Sequence, residues 1–498
     1  MVGVGLACAA AVATTLTRPP HYDEANFLAL ARGARLDAWR PHAVRINWQG
    51  VEQPAFEVLS NPPGIAWWLA PWLDAPIAVQ RLVMLPWAAL AAWGMFQLGR
   101  RCCGDGPVAA ALLVSSPIVL LSASALLPDA PLLGLAVAGM ALWTKDVDDR
   151  RGATVAVRGA LVVGLACLFR YSALPLPLVL AFYAVLRGRP DYAALAAVGW
   201  APLGALAAHD LHAYGAVHLA AMGRFQSIAN TPEDLGHKAV AASCFLGGAA
   251  ILPVFRWRAG AAVGAALGAL AAAPWGVGAC GFGAAGGAVL GATVEADGVE
   301  RRDRAWVRAW ALGGALFLLS LRFTAARYWL PFLPAVVLAV GAHRYWPAAL
   351  FAQAALGVGL ALDDAASARA QERLVAALDR AVDAAEGAGA RTFVGHWGWQ
   401  WALERRGWRA LDEGSTPPSG AVVAIPTEAW PQAADVRCAR VLWSGEALPA
   451  AGWLPRGHSA QARANLHANW ISGPPPARTV RPWAFATDPY ERAVVCAD

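Results

Sequence analysis

Ionisable side chains set inside or at the edge of long apolar runs are the residues of this chain most able to do chemistry. Such groups are costly in hydrocarbon unless they face a cavity or a partner. Four places stand out: Asp23-Glu24 in HYDEANF, Asp129 in LLPDAPLL, Arg170-Tyr171 in CLFRYSALP, and Arg327-Tyr328 in TAARYWLPFLP. Arg stays charged and presents a planar fork to phosphate oxygens, while a nearby carboxylate can take a proton from an attacking hydroxyl. Two acidic sites and two Arg sites on one face would suit chemistry on a lipid phosphate. Each has a structural explanation when taken alone. An Asp-Glu pair opening a helix complements the helix dipole, Asp129 before Pro131 caps a helix, and Arg327 can act as a snorkelling anchor. Their joint placement carries the chemical reading.

The elements that must position these residues are apolar helices. Of the 498 residues, 58% are hydrophobic and only 15% charged, against about 25% charged in an ordinary soluble protein. The mean hydropathy is +0.43. Runs of Ala, Gly, Val and Leu suit helices packed closely in a bilayer. The net charge is +6, but the Arg residues are scattered in short clusters between apolar runs, which excludes a nucleic-acid-binding face. Arg100-Arg101, Lys145 with Arg150-Arg151, Arg187 with Arg189, Arg256 with Arg258, Arg301-Arg302 with Arg304, and His343-Arg344 follow alternate apolar runs and mark cytoplasmic turns.

The run Val2–Leu16 reads as a short first membrane helix. Counting runs long enough to span gives about thirteen crossings. The N-terminus is then inside and the C-terminal part outside, with the long loop 18–77 on the outer face. Within that loop, residues 23–39 have near-helical apolar spacing and are expected to lie along the membrane surface. From about residue 365 charged and polar residues return. A helical stretch, then RTFVGHW and GWQWALERRGW as strand and helix, then AVVAIP and VRCARVLW as strands, predict a small α/β domain. The expected fold is therefore a membrane all-α helical bundle over 1–364 with an extracytoplasmic α/β domain over 365–498. No CxxC pair occurs among the eight cysteines, and no metal-ligand spacing is evident. Cys438 and Cys496 are the only cysteines of the tail and are expected to pair in an oxidising compartment.

The order of an Asp-Glu pair after the first apolar run, the Pro-Pro motif of SNPPGIAWWLAPW, the PDAP motif opening a span, and ARYWLPFLP in a late span resembles the GT-C membrane glycosyltransferases. The similarity is greatest to glycosyltransferase family 39, which includes protein O-mannosyltransferases and the aminoarabinose transferase that modifies lipid A. It covers the whole membrane region, and GHWGWQWALERRGW resembles the tail of bacterial members. The resemblance implies a polyprenyl-phosphate sugar as donor and no cofactor. It puts Asp23, with Glu24 beside it, near the reacting centre. Arg327 and Tyr328 would contact the lipid phosphate, and Arg170, followed by Tyr171, stands where many bacterial members carry Lys. Asn61 replaces the His or Lys that precedes Pro-Pro in many relatives, and Asp129 belongs to the PDAP motif.

The resemblance further implies a multi-pass protein of the bacterial cytoplasmic membrane, whose partners are the bilayer, the lipid-linked sugar, and an acceptor that is a lipid, a glycan or a protein. Two rival readings remain at this stage. A secondary transporter would carry its charges near the bilayer midplane rather than at span ends. A non-catalytic relative binding lipid-linked glycans would keep the Arg sites and dispense with Asp23. The Gly395-His396-Trp397 motif invites a sugar-binding reading as well as a core one.

Overall fold

Helices that are apolar all round must bury against one another or against lipid, and a bundle of such helices makes up the chain to about residue 340. The computed structural model describes residues 2–497 apart from 49, 228–230, 251–258, 342–345, 386–388, 430–435, 437, 450 and 472–476. The basic clusters Arg256/Arg258 and His343-Arg344 fall outside the described residues.

Among the described residues, 4 helices are long and apolar enough to cross a membrane: Ile77–Cys102, Pro190–Tyr214, Val277–Glu295 and Trp346–Asp383. A fifth span arises if Gly106–Val114 and Pro117–Ala123, bent by 71°, count as one. Shorter apolar helices include Ala153–Ala166, Tyr171–Leu186 and Ala259–Trp275. The expectation of about thirteen crossings is therefore not confirmed. Apolar runs that look continuous in sequence are cut by Pro-led turns. Pro117 follows Ser115-Ser116 at the bend, and Pro175 follows the break after Ala166. Pro lacks the N–H and disfavours helical geometry in the residue before it.

Close approach of backbones holds the bundle together where small residues recur. Gly260, Gly264 and Gly268 on the Ala259–Ala272 helix face Gly283, Gly287 and Gly291 on the Val277–Glu295 helix. A Cβ on Gly287 would lie 2.0 Å from the Gly264 carbonyl oxygen. Only glycine permits this contact, which is the small-residue packing of membrane helices.

The Asp129–Asp148 helix sets the axis of the bundle. Its 20 residues span about 30 Å, roughly the hydrocarbon thickness of a bilayer. At its far end Asp148 accepts hydrogen bonds from Arg101 (2.6 Å), Arg187 (2.9 Å) and the Tyr183 hydroxyl (2.9 Å). Arg187 also pairs with Asp303. Turns expected to lie on one side of the membrane are thus tied together at one end, and Asp129 stands at the other.

The Trp346–Asp383 helix is continuous over 38 residues. Its first half packs in the bundle, with Gln353 donating to the Leu112 carbonyl. Its second half, through Leu374, Val375, Leu378 and Val382, forms the core of the C-terminal domain with Phe393, Trp399, Leu403, Val422 and Val495. That domain carries a five-stranded sheet in the spatial order Arg409–Ala410, Arg391–Phe393, Val422–Pro426, Glu491–Ala497, Arg440–Ala447. The first two contacts are parallel and the last two antiparallel. Arg391–Phe393, the Trp397–Glu404 helix and Arg409–Ala410 make a β-α-β unit. Cys438 and Cys496 are joined by a disulfide, which ties the chain entering Arg440–Ala447 to its neighbour in the sheet. The domain sits over the Asp129 end of the bundle: Ala326 N–H donates to the Leu466 carbonyl (3.1 Å) and Asn469 N–H to the Thr324 carbonyl (2.8 Å).

The Gly264–Gly287 contact predicts that Gly287→Val lowers stability by about 1–3 kcal/mol, because the packed backbone cannot admit the added Cβ and its two methyls. Thermal unfolding of the detergent-solubilised variant measures this, and an unchanged melting temperature would contradict the packing.

Candidate active site

Each of the singled-out charged residues sits where a helix starts or breaks. Asp23 immediately precedes the Glu24–Leu36 helix, and Asp129 opens the Asp129–Asp148 helix after Pro128. Arg170 is extended (φ −157°) between the Ala153–Ala166 helix and the short turn Tyr171–Ala173. Arg327 lies in the turn Ala326–Trp329, before Pro331 and the Leu333–Val340 helix. Pro and non-helical backbone at these points release side chains towards the end of the bundle instead of its flank.

The structure brings five of these residues together. Arg327 Nη2 donates to Asp23 Oδ2 at 2.5 Å, and Arg170 Nη1 donates to Asp129 Oδ1. The Tyr328 ring lies between the two pairs, with the Arg170 guanidinium 4.5 Å and that of Arg327 5.9 Å from its centroid. Two cations and two anions therefore surround one aromatic ring. Neither pair is saturated: Asp129 Oδ2 and Arg327 Nε are buried without a hydrogen-bond partner. Asp23 is the most accessible of the four, its side chain 24% exposed against 10% for Arg327.

Glu24 has a different environment. Its carboxylate accepts from Arg18 (2.6 Å), from Arg81 through both oxygens (2.7 and 2.9 Å), and from the backbone N–H groups of His21 and Leu126 (both 2.9 Å). Arg81 is fully buried and also donates to the carbonyls of Arg18 and Ser124. Arg18 pairs in addition with Asp364 on the long helix. This network anchors the segment that carries Asp23. Sequence reading missed Arg18 and Arg81. Arg81 lies in the apolar run VQRLVML, so the signal that marked Arg170 was present there too. Lys238, buried in the bundle, was likewise passed over; it donates to the carbonyls of Leu319 and Leu321.

Asn61 and Tyr171 lie in a neighbouring aromatic cluster. His42 Nε2 donates to the Asn61 carbonyl (3.0 Å). His218 Nε2 can only donate to the Leu59 carbonyl (2.8 Å), so in the neutral ring Nδ1 accepts from the Tyr171 hydroxyl (2.8 Å). The Pro-Pro motif has a local purpose in this packing. Gly64, which follows it, donates its N–H to the Leu168 carbonyl (2.8 Å), and a Cβ there would lie 2.4 Å from that oxygen. The motif docks the long loop onto the strand-like segment that presents Arg170.

A partly open cavity of about 60 Å³ adjoins the cluster, between the bundle end and the C-terminal domain. Arg327 is common to both, since it lines the cavity and holds Asp23. Tyr22, Glu24, Asp363, Trp397, His458 and Glu491 are among its other walls. Among the described residues, no group of three or more His, Cys, Asp or Glu side chains could hold a metal ion.

Removing a single partner from a buried ion pair strands the other charge. Glu24→Ala should therefore cost about 3–5 kcal/mol of stability, because among the described residues Arg81 pairs with no other carboxylate. Asp23→Asn should cost less, since solvent reaches that carboxylate and screens the loss. Comparing the thermal unfolding of the two variants checks the assignment, and equal losses would contradict it.

No family model matches the chain, and no curated protein matches it. Solved structures similar to this chain include two of one protein. One is the crystal structure of ArnT from Cupriavidus metallidurans bound to undecaprenyl phosphate, at 16% identity, 76% of this chain and 71% of that chain, with a TM-score of 0.45. The other is the same protein in the apo state, at 14% identity, 84% of this chain and 91% of that chain, with a TM-score of 0.38.

Proposed function

We propose that the chain is a glycosyltransferase that moves a sugar from a polyprenyl-phosphate donor to an acceptor hydroxyl at the outer face of the cytoplasmic membrane. The observation that carries this reading is the pairing of Asp23 with Arg327 and of Asp129 with Arg170 around Tyr328, at the end of an apolar bundle and on the rim of a cavity. Charges at helix ends, rather than mid-span, favour a transferase over a carrier.

Breaking the bond from the anomeric carbon to the phosphate oxygen builds positive charge on the sugar and negative charge on the phosphate. Fixed guanidinium groups beside the leaving oxygen lower that barrier. In the resting protein the Asp23 carboxylate is held by Arg327. An incoming phosphate competes for Arg327 and so releases the carboxylate only once donor is bound. Asp23 then takes the proton of the acceptor hydroxyl, whose oxygen attacks the anomeric carbon. The carbon–oxygen bond to phosphate breaks, and its electron pair leaves with the phosphate held by Arg327 and Arg170. A single displacement inverts the anomeric centre. Asp129 orients Arg170, and Glu24 anchors the segment bearing Asp23. We assign Asn61 and Tyr171 to the packing that supports the Arg170 segment.

The tail disulfide supports an oxidising compartment for the C-terminal domain. The basic turns gathered at the opposite end support that end as cytoplasmic.

If Asp23 is the base, Asp23→Asn binds donor at least as tightly as the wild type, because no carboxylate competes for Arg327, while turnover falls by a factor of at least about 100. Arg327→Ala weakens donor binding as well as turnover, and Arg327→Lys restores only part because the bidentate fork is lost. Measuring donor affinity and transfer rate for the three variants tests the reading; near wild-type turnover in Asp23→Asn would remove it.

A further inference from the structure

The cavity beside Arg327 has features that phosphate binding does not use. Two of its walls are aromatic residues in the left-handed backbone region, Tyr22 (φ +46°) and Trp397 (φ +66°). Bulky side chains rarely adopt that conformation, and where they do the surrounding structure forces it, most often at a binding site. One comes from the turn before Asp23 and the other from the C-terminal domain, yet their ring centroids lie 5.5 Å apart. Both are half-buried and line the cavity, although the Trp397 ring also rests on the core of the C-terminal domain.

Unpartnered polar atoms line the same space. Glu491, 1% exposed, uses Oε1 to accept the N–H groups of Thr427 (2.8 Å), Glu428 (2.7 Å) and Arg492 (3.0 Å). Its other oxygen, Oε2, is buried with no partner. Neither ring nitrogen of His458 makes a hydrogen bond, the Glu428 carboxylate lying 3.6 Å from Nε2. Buried polar atoms left open in a cavity wall need an explanation, and a ligand that supplies the missing partners is one.

The ligand that fits has two apolar C–H faces and a rim of hydroxyls. The weakly positive C–H groups of a sugar ring pack on the negative faces of aromatic rings, and hydroxyls can both donate and accept at the rim. We propose that this cavity is the glycosyl subsite of the donor: Tyr22 and Trp397 pack on the sugar ring, His458 and Glu491 hydrogen-bond its hydroxyls, and Arg327 holds the phosphate. The proposal rests on the polyprenyl-phosphate reading and adds to it that sugar selection is made by side chains of the C-terminal domain. Burial pushes the Glu491 carboxyl up to about 8, so near neutral pH Oε2 carries a proton to donate.

The test uses the full-length protein in nanodiscs and compares its affinity for sugar-free undecaprenyl phosphate with that for a panel of undecaprenyl-phosphate hexoses and pentoses. The wild type is expected to bind at least one conjugate about tenfold or more tighter than the sugar-free lipid. Trp397→Ala and His458→Phe should bring that ratio close to one while leaving the sugar-free affinity unchanged. His458→Phe keeps an aromatic ring and removes two nitrogens that make no hydrogen bond within the protein, so it decides the matter should Trp397→Ala fail to fold. Wild-type binding to the bare lipid with no preference for any conjugate, or a preference that His458→Phe leaves intact, would overturn the subsite and spare the donor reading. Absence of any polyprenyl-phosphate binding by the wild type would overturn both.

Discussion

An arginine at the edge of an apolar helix bundle cannot stand without a carboxylate, and that constraint organises this protein. Charge is expensive where water is scarce, and four arginines at the C-terminal-domain end of the bundle are paired with carboxylates: Arg18 and Arg81 share Glu24, Arg170 has Asp129, and Arg327 has Asp23. The pairs differ in completeness. Glu24 receives five hydrogen bonds and is closed to solvent, whereas the other two pairs keep open atoms and meet across a tyrosine ring. The first pairing builds a rigid anchor. The others keep open atoms, and in the function we propose an incoming phosphate displaces the carboxylate from Arg327.

The scaffold serves this arrangement through breaks. Proline-led turns at 128, 175 and 331 end or open helices where the charged residues stand, and the loop from residue 18 onwards folds back to dock Gly64 against Leu168. The C-terminal domain is joined to the bundle by one unbroken helix, Trp346–Asp383. A helix of that length transmits position well, so the domain's cavity wall is held in register with Arg327 without a flexible linker.

Much of the site was legible in sequence because charge within an apolar run is a strong and local signal. Asp23, Asp129, Arg170 and Arg327 all carry it, and they converge. Arg81 carries it too and was absorbed into a presumed span, which shows that the signal must be applied inside runs as well as at their ends. What the signal cannot give is partnership. Asp23 and Glu24 are neighbours in sequence, yet one faces Arg327 and the other Arg18 and Arg81, a distinction made by residues far along the chain. The expected number of crossings is not confirmed, and apolar composition does not reveal where Ser115-Ser116-Pro117 bends a run by 71°. The change of composition near residue 365 marked the start of the soluble domain but not the helix that continues through it, since polar residues on one face do not interrupt helical geometry. The pairing of the Glu491–Ala497 strand with two others is likewise set by tertiary contacts rather than by local pattern.

The account turns on Arg327 exchanging its carboxylate for a phosphate. A structure of the protein with undecaprenyl phosphate bound in a nanodisc measures this directly. The account predicts that the Arg327 guanidinium lies within hydrogen-bond distance of the phosphate oxygens and that its 2.5 Å contact with Asp23 is broken, leaving the carboxylate facing the cavity. An intact Asp23–Arg327 pair, with the lipid phosphate held by other residues, would contradict it.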